Sequence, residues 1–222
     1  MKAIILAGGR GKRLRPITDY VPKPLIPIKN IPIIEWQIKY LKKFNISEVI
    51  ICSGYKTKMI EDYLNNKKLG VKITFSIEDK PLGTGGAIKK AGKKIKDKSF
   101  LVINGDIITN IDLKKLIKKE NSIASIQLKT KFGILQTDKD KIIKFDEKKE
   151  INDIWMNAGI YHLKKETLKE LPVIGDIEKT LFPDYAKKEK LSTIKFTNSK
   201  WYSIDSFKDM EECSLIIQRI IK

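Results

Sequence analysis

A chain of 222 residues with 41% hydrophobic and 32% charged residues can bury one sizeable core, which excludes a disordered polypeptide. Its formal net charge of +18 predicts a surface that attracts anions, whether nucleic acid, nucleotides or sugar phosphates. A single histidine, His162, excludes His-pair catalysis and a His-rich zinc site, and the two cysteines, Cys52 and Cys213, fit a reducing cytoplasm.

Residues 2–7, KAIILA, read as a short buried parallel strand that ends in glycine. That run is too short for the core of a signal peptide, and no later stretch is apolar enough for a membrane span. Pro32 is suited to a first helical turn, and Ile34, Ile38, Leu41 and Phe44 then share one face of a predicted helix. Residues 47–54 predict a second strand, 56–66 a helix and 71–77 a third strand. A Gly-rich turn leads into a helix over 85–95, and 99–106 is a fourth strand ending in Asn-Gly-Asp. This alternation predicts a doubly wound α/β sheet. Beyond residue 120 the texture changes to short strands at 122–128, 133–137, 141–147 and 154–163, with a hairpin turn at 138–141. The tail from Phe207 is a helix with one apolar face, which fits core packing better than a subunit contact.

The chain contains four arginines, and three of them, Arg10, Arg13 and Arg15, fall in the loop LAGGRGKRLRP at 6–16. Glycines after a strand let the backbone approach a phosphate closely, and guanidinium forks bind phosphate oxygens bidentately. Neither familiar phosphate motif is present. Arg13 follows Gly11-Lys12 where a P-loop needs Ser or Thr, and Leu14 stands where a dinucleotide fingerprint needs its third glycine. Arg13 is the candidate phosphate contact, while Arg10 is open to a surface role.

Lys23 lies between Pro22 and Pro24, which predicts an extended, stiff backbone and a preorganised cation. Gly83, Gly85 and Gly86 mark another close approach, before a helix N-terminus that favours an anion or a polar ring edge. Asp106 ends a strand where open α/β sheets bind ligands, and Asp205 ends another. Two such carboxylates suit Mg²⁺, which takes carboxylates together with substrate phosphates.

The ordered set LAGGRGKRLRPIT, PKPL, PLGTGGAI, NGD, FDEK and NAGIY resembles the sugar-1-phosphate nucleotidylyltransferases over residues 1 to about 212. The resemblance implies a Rossmann-like nucleotidyltransferase fold, a mixed and mostly parallel sheet flanked by helices with a small β-rich sugar-binding part. It implies a single catalytic domain over 1–222, with the nucleotide-binding part at about 1–120 and the sugar-phosphate part at about 121–222; many members append a left-handed β-helix or an acyltransferase domain, and a bare catalytic domain with no C-terminal β-helix is expected here. The reaction implied is NTP plus sugar 1-phosphate giving NDP-sugar and pyrophosphate. Carried over by position, Leu6, Ala7, Gly8, Gly9, Gly11, Lys12, Arg13, Glu78, Pro81, Gly83 and Thr84 would bind the nucleotide. Asn104, Gly105, Gly133, Glu147, Lys148 and Asn157 would bind the sugar phosphate. Arg13, Lys23 and Asp106 would be catalytic, and Asp106 and Asp205 would hold Mg²⁺. The implied partners are the two small-molecule substrates, with no nucleic acid or membrane partner, the location is cytoplasmic, and monomer or homo-oligomer stays open. Two departures stand out. Lys12 takes the place of the family's usual threonine, and Phe207 follows Asp205 where many members have glycine.

Glu78 sits where uridylyl- and thymidylyltransferases of this family often carry glutamine. A carboxylate only accepts, which matches the paired N1–H and 2-amino donors of guanine. SIEDKPLGTGGAI likewise resembles the mannose- or heptose-1-phosphate guanylyltransferase branch, so GTP is the expected nucleotide. The alternatives are a UTP- or dTTP-dependent enzyme, or a non-catalytic nucleotide-sugar-binding subunit.

Overall fold

A computed structural model describes residues 1–130, 132–147 and 150–220. In chain order its elements are β1 (Lys2–Leu6), α1 (Ile17–Tyr20), β2 (Pro27–Ile28), β3 (Ile31–Pro32), α2 (Ile33–Lys43), β4 (Glu48–Ser53), α3 (Thr57–Asn65), β5 (Lys72–Ile77) and α4 (Gly83–Gly92). There follow β6 (Ser99–Asn104), β7 (Ile107–Thr109), α5 (Leu113–Leu116), β8 (Ser122–Lys129), β9 (Ile134–Asp138), β10 (Lys141–Asp146) and β11 (Glu150–Lys164). The chain closes with α6 (Thr167–Glu170), α7 (Leu181–Lys187), β12 (Ser192–Phe196), β13 (Trp201–Ser203) and α8 (Phe207–Ile220).

Seven strands form one sheet in the order β12-β8-β11-β6-β1-β4-β5. The predicted doubly wound half is its parallel part, in which β1 lies between β4 and β6. Alternate residues of β1 enter different cores: Ala3 and Ile5 pack on one face of the sheet, Ile4 on the other. Burial on both faces is why β1 is continuously apolar and does not alternate with polar residues. The later strands do not make a lobe of their own. β11 pairs antiparallel with β6 and β8, and β12 pairs parallel with β8, so they widen the same sheet. The β9–β10 hairpin stands apart, closed by the predicted turn with Lys139 at φ 49°, and β13 pairs antiparallel with β7 in a separate two-stranded sheet.

Helix α2 is buried more widely than one apolar stripe requires. Ile34, Ile38 and Leu41 face the main core, whereas Ile33 and Trp36 enter a third cluster with Leu14, Ile108 and Ile204. The tail helix α8 seals that third cluster with Cys213, Ile217 and Ile220, which is the core-packing role expected for it. Cys52 and Cys213 are free, buried thiols, and burial pushes Cys213 up to about 12.

Register sets up the site. Leu6, the last residue of β1, is level with Asn104 of β6 and Cys52 of β4. The chain leaves β1 toward β4 while β6 lies on the other side, so the loop after β1 lies over the crevice where strand order reverses.

Candidate functional site

The loop after β1 turns sharply at Gly11, whose φ is +62°. A Cβ there would lie 3.0 Å from both the Lys23 and Thr18 side chains, so glycine permits the turn and the contact with Lys23 together. Gly8 faces a different neighbour: a Cβ there would lie 3.0 Å from Glu78 Oε1, at the flexible end of that side chain. Gly9 meets nothing within 4 Å on that side, which leaves its open face toward the cavity.

The three arginines of this loop have separate fates. Arg13 ion-pairs with Asp205 at 3.0 Å, and Arg15 is held by Asp19 at 3.0 Å. Arg10 lies over the Tyr55 ring at 5.8 Å and borders the cavity, so it belongs to the site as well as the surface.

Lys23 differs from the expectation of an extended backbone. Pro22 is extended, but Lys23 opens a single 3-10 turn over Lys23–Leu25 with Pro24 buried. The prolines stiffen a turn, and that turn aims Nζ at two carboxylates: 2.7 Å from Asp106 Oδ2 and 2.8 Å from Asp205 Oδ1. Each aspartate is fixed from behind. The buried Gln37 side chain donates to the carbonyls of Asn104 and Ile107 at 2.8 and 2.9 Å, clamping the turn that carries Asp106. Ile204 N–H donates to the Asp106 carbonyl, Ser203 Oγ donates to Asp205 Oδ2, and Asp209 accepts the Asp205 N–H. Phe207 sits exposed at the start of α8 and leaves this arrangement intact.

Burial works against ionising Asp205, but Lys23, Ser203 and Arg13 outweigh it and hold its carboxyl below the usual range. Asp106 and Asp205 therefore offer hard oxygen donors around a point where a cationic nitrogen already stands. Among the described residues no cluster of three or more His, Cys, Asp or Glu side chains surrounds such a point. A cation held there would complete its shell with water and substrate oxygens, which is the habit of Mg²⁺.

A cavity of about 720 Å³ opens beside these groups. Every residue expected to bind the nucleotide lines it: Leu6, Ala7, Gly8, Gly9, Gly11, Lys12 and Arg13 from the first loop, Glu78 and Pro81 after β5, and Gly83 and Thr84 at the start of α4. Lys23, Asn104, Gly105, Asp106 and Asp205 line it too. Gly105 allows this closeness, because a Cβ there would fall 2.3 Å from the Leu6 carbonyl oxygen. Glu78 Oε2 accepts the Leu82 N–H at 3.0 Å, and burial raises its carboxyl above the ordinary value against the pull of Leu82 and Lys90.

The remaining sugar candidates lie elsewhere. Gly133 and Glu147 come together on the hairpin, where a Cβ on Gly133 would lie 3.2 Å from Glu147 Oε2. Asn157 is exposed on β11, with its amide bonded to Tyr161 and Gly159. None of these three lines the cavity, and Lys148 lies outside the described residues.

The expectation for α4 needs correction. The helix starts at Gly83, two residues early, and its first amides are not free for an anion. Gly85 and Gly86 N–H both donate to the Gly175 carbonyl, and Thr84 N–H to Asp176. A Cβ on Gly86 would lie 2.4 Å from the Val173 carbonyl oxygen, so these glycines admit the protein's own 172–176 loop and not a ligand. That loop brings Asp176 to the cavity wall. Nothing local in the sequence marks Asp176, because its partner lies 92 residues away.

A nucleotidyl transferase family profile matches residues 2–219. The D-glycero-alpha-D-manno-heptose 1-phosphate guanylyltransferase of Aneurinibacillus thermoaerophilus is 41% identical over 173 residues, covering 74% of this chain and 75% of that protein. Its namesake from Campylobacter jejuni is 39% identical over 207 residues, covering 90% and 86%. Among solved structures, HddC from Yersinia pseudotuberculosis superposes with a TM-score of 0.76 at 30% identity, covering 96% of this chain and 98% of that one. It has also been solved in complex with GMP-PN.

Proposed function

We propose that this chain, which belongs to the nucleotidyl transferase family, moves the GMP unit of GTP onto the phosphate of a heptose or mannose 1-phosphate and releases pyrophosphate. The observation that carries this reading is the convergence of Lys23, Arg13, Asp106 and Asp205 at the mouth of a cavity walled by the 6–16 loop and Glu78. The names of the relatives and the nucleotide bound to HddC support the guanine assignment. Heptose 1-phosphate follows the relatives, and mannose 1-phosphate follows the branch that the sequence resembles.

The chemistry needs no side-chain nucleophile. A phosphate oxygen of the sugar 1-phosphate attacks the α-phosphorus of GTP, a new P–O bond forms, and the bond to the leaving β-phosphate oxygen breaks in line. Positioning and charge neutralisation supply the rate. The backbone of Gly8, Gly9 and Gly11 lets the triphosphate approach, and Arg13 and Lys12 neutralise the part that leaves. Lys23 exchanges its carboxylate partners for phosphate oxygens and neutralises charge that develops at the reacting centre. Asp106 and Asp205 would hold Mg²⁺, which when bound supplies charge neutralisation on the phosphate oxygens. Glu78 accepts from guanine N1–H and the 2-amino group, and Gly133, Glu147 and Asn157 meet sugar hydroxyls.

Pyrophosphate release from each of GTP, ATP, CTP, UTP and dTTP, paired with a panel of sugar 1-phosphates, tests the reading. Turnover should be fastest with GTP and a heptose or mannose 1-phosphate. Preference for UTP or dTTP would remove the guanine assignment, and no turnover with any pair would remove the activity.

A further inference from the structure

Beside the catalytic cluster, a carboxylate that touches neither the cavity nor the aspartates joins its two ends. Glu178 lies in a 3-10 turn at Ile177–Lys179. One of its oxygens accepts the Thr84 hydroxyl proton at 2.5 Å, and the other accepts from the Tyr161 hydroxyl at 3.1 Å. Thr84 Oγ in turn accepts the Ile177 N–H at 2.9 Å. Thr84 lines the nucleotide cavity, while Tyr161 is fully buried and bonds to Asn157, one of the sugar candidates.

An ionised carboxylate only accepts, so both hydroxyl protons are committed to Glu178. With its proton spent, the Tyr161 oxygen can only accept from its other neighbours. Asn157 Nδ2 donates to it at 2.9 Å, and Asn157 Oδ1 takes the Gly159 N–H at 2.8 Å. This fixes the amide's orientation and leaves its second N–H as the donor offered outward. The Asn104 side chain also hydrogen-bonds to Tyr161, with its own oxygen buried and unpartnered among the described residues.

We propose that Glu178 and Tyr161 are positioning residues: Glu178 fixes the Thr84 hydroxyl on the nucleotide side and, through Tyr161, presents the Asn157 amide as a donor on the sugar side. This rests on the reaction proposed above. It assigns sugar discrimination partly to residues that touch no substrate.

Steady-state kinetics with the preferred NTP and sugar 1-phosphate test it. Tyr161→Phe keeps the ring packed edge-on against Phe182 and removes only the hydroxyl. The KM for the sugar 1-phosphate should rise about tenfold, the scale of one misdirected hydrogen bond, with kcat and the nucleotide KM changed by less than about twofold. In an Asn157→Ala background the same substitution should add less than about a twofold effect, because its action passes through Asn157. Glu178→Gln should raise both KM values, since a glutamine cannot accept at both ends. The relay is overturned if Tyr161→Phe leaves the sugar KM unchanged, if kcat and both KM values move together, or if its effect persists without Asn157. A wild type inactive with every substrate pair would overturn the reaction, and the relay with it; an active wild type with an indifferent Tyr161→Phe variant overturns the relay alone.

Discussion

At the proposed nucleotide end, three short stretches at the carboxyl ends of β1, β5 and β6 converge on one cavity, braced by buried groups such as Gln37. At the proposed sugar end, Gly133 and Glu147 flank a two-stranded hairpin, and Asn157 lies exposed on a different sheet. The first is shaped by close backbone approaches, which at Gly83 and Gly105 leave no room for a Cβ. The second is assembled from distant side chains. Substitutions at the first should therefore cost turnover, nucleotide recognition or folding, and substitutions at the second should cost sugar affinity alone.

The largest effect is expected at Lys23. Lys23→Met should lower kcat by about a thousandfold, the scale of losing one charge-stabilising donor at a reacting centre. It should also tighten Mn²⁺ binding without nucleotide, because Asp106 and Asp205 lose the ammonium they share. Stopped-flow turnover and electron paramagnetic resonance of free Mn²⁺ report the two effects. Weaker Mn²⁺ binding would show that Lys23 does not compete for those carboxylates.

Gly83→Ala comes next. Its φ is +74°, and a Cβ would lie 2.6 Å from the Gly175 backbone. The variant should lose about 2 kcal/mol or more in urea unfolding, and an unchanged midpoint would mean that the 172–176 loop yields freely.

Glu78→Gln should reduce the preference for GTP over UTP by about tenfold, on the scale of one or two hydrogen bonds to the base. Burial raises the folded pKa of Glu78 above its unfolded value of 4.5, so the folded state holds the proton longer. Ionising it costs stability as pH rises from that value through the raised one, and the cost is fully present at neutral pH. The variant should melt no lower than the wild type at neutral pH, with a smaller loss of stability across the acidic interval.

Glu147→Ala should raise the sugar 1-phosphate KM about fivefold while the melting temperature and nucleotide KM hold, because the side chain is exposed. The smallest effect is expected for Lys12→Thr. This exposed cation should change the nucleotide KM only about twofold, with the effect fading at high salt. An effect at Glu147 on folding would erase the contrast between the two ends, and a large one at Lys12 would show that this exposed cation is held against the nucleotide.

The same contrast explains what was legible in the sequence. The parallel strands and the 6–16 loop declare themselves locally, through apolar runs, glycines and an unusual cluster of arginines. The clamp on α4 does not, since Gly175, Asp176 and Glu178 meet Thr84, Gly85 and Gly86 only through space. Gly85 and Gly86 signalled a close approach correctly, but a glycine does not say whether the approaching atoms belong to a ligand or to the chain. Likewise, the prolines around Lys23 signalled stiffness, and only the fold showed that the stiff element is a turn facing two aspartates. Strands β8 to β11 were visible as strands, whereas β12 carried no pattern that singled it out. The insertion of β8 and β11 into the main sheet depends on the pairing of β11 with β6, which no local pattern encodes.

The most direct test of the account is phosphorus NMR of the wild type and Asp205→Asn with GTP, Mg²⁺ and heptose or mannose 1-phosphate. The wild type should form a GDP-sugar and pyrophosphate in equal amounts, and Asp205→Asn should form neither at a comparable rate. Release of GMP, or of GDP with free phosphate, in place of a GDP-sugar would contradict the account, as would an undiminished rate in Asp205→Asn.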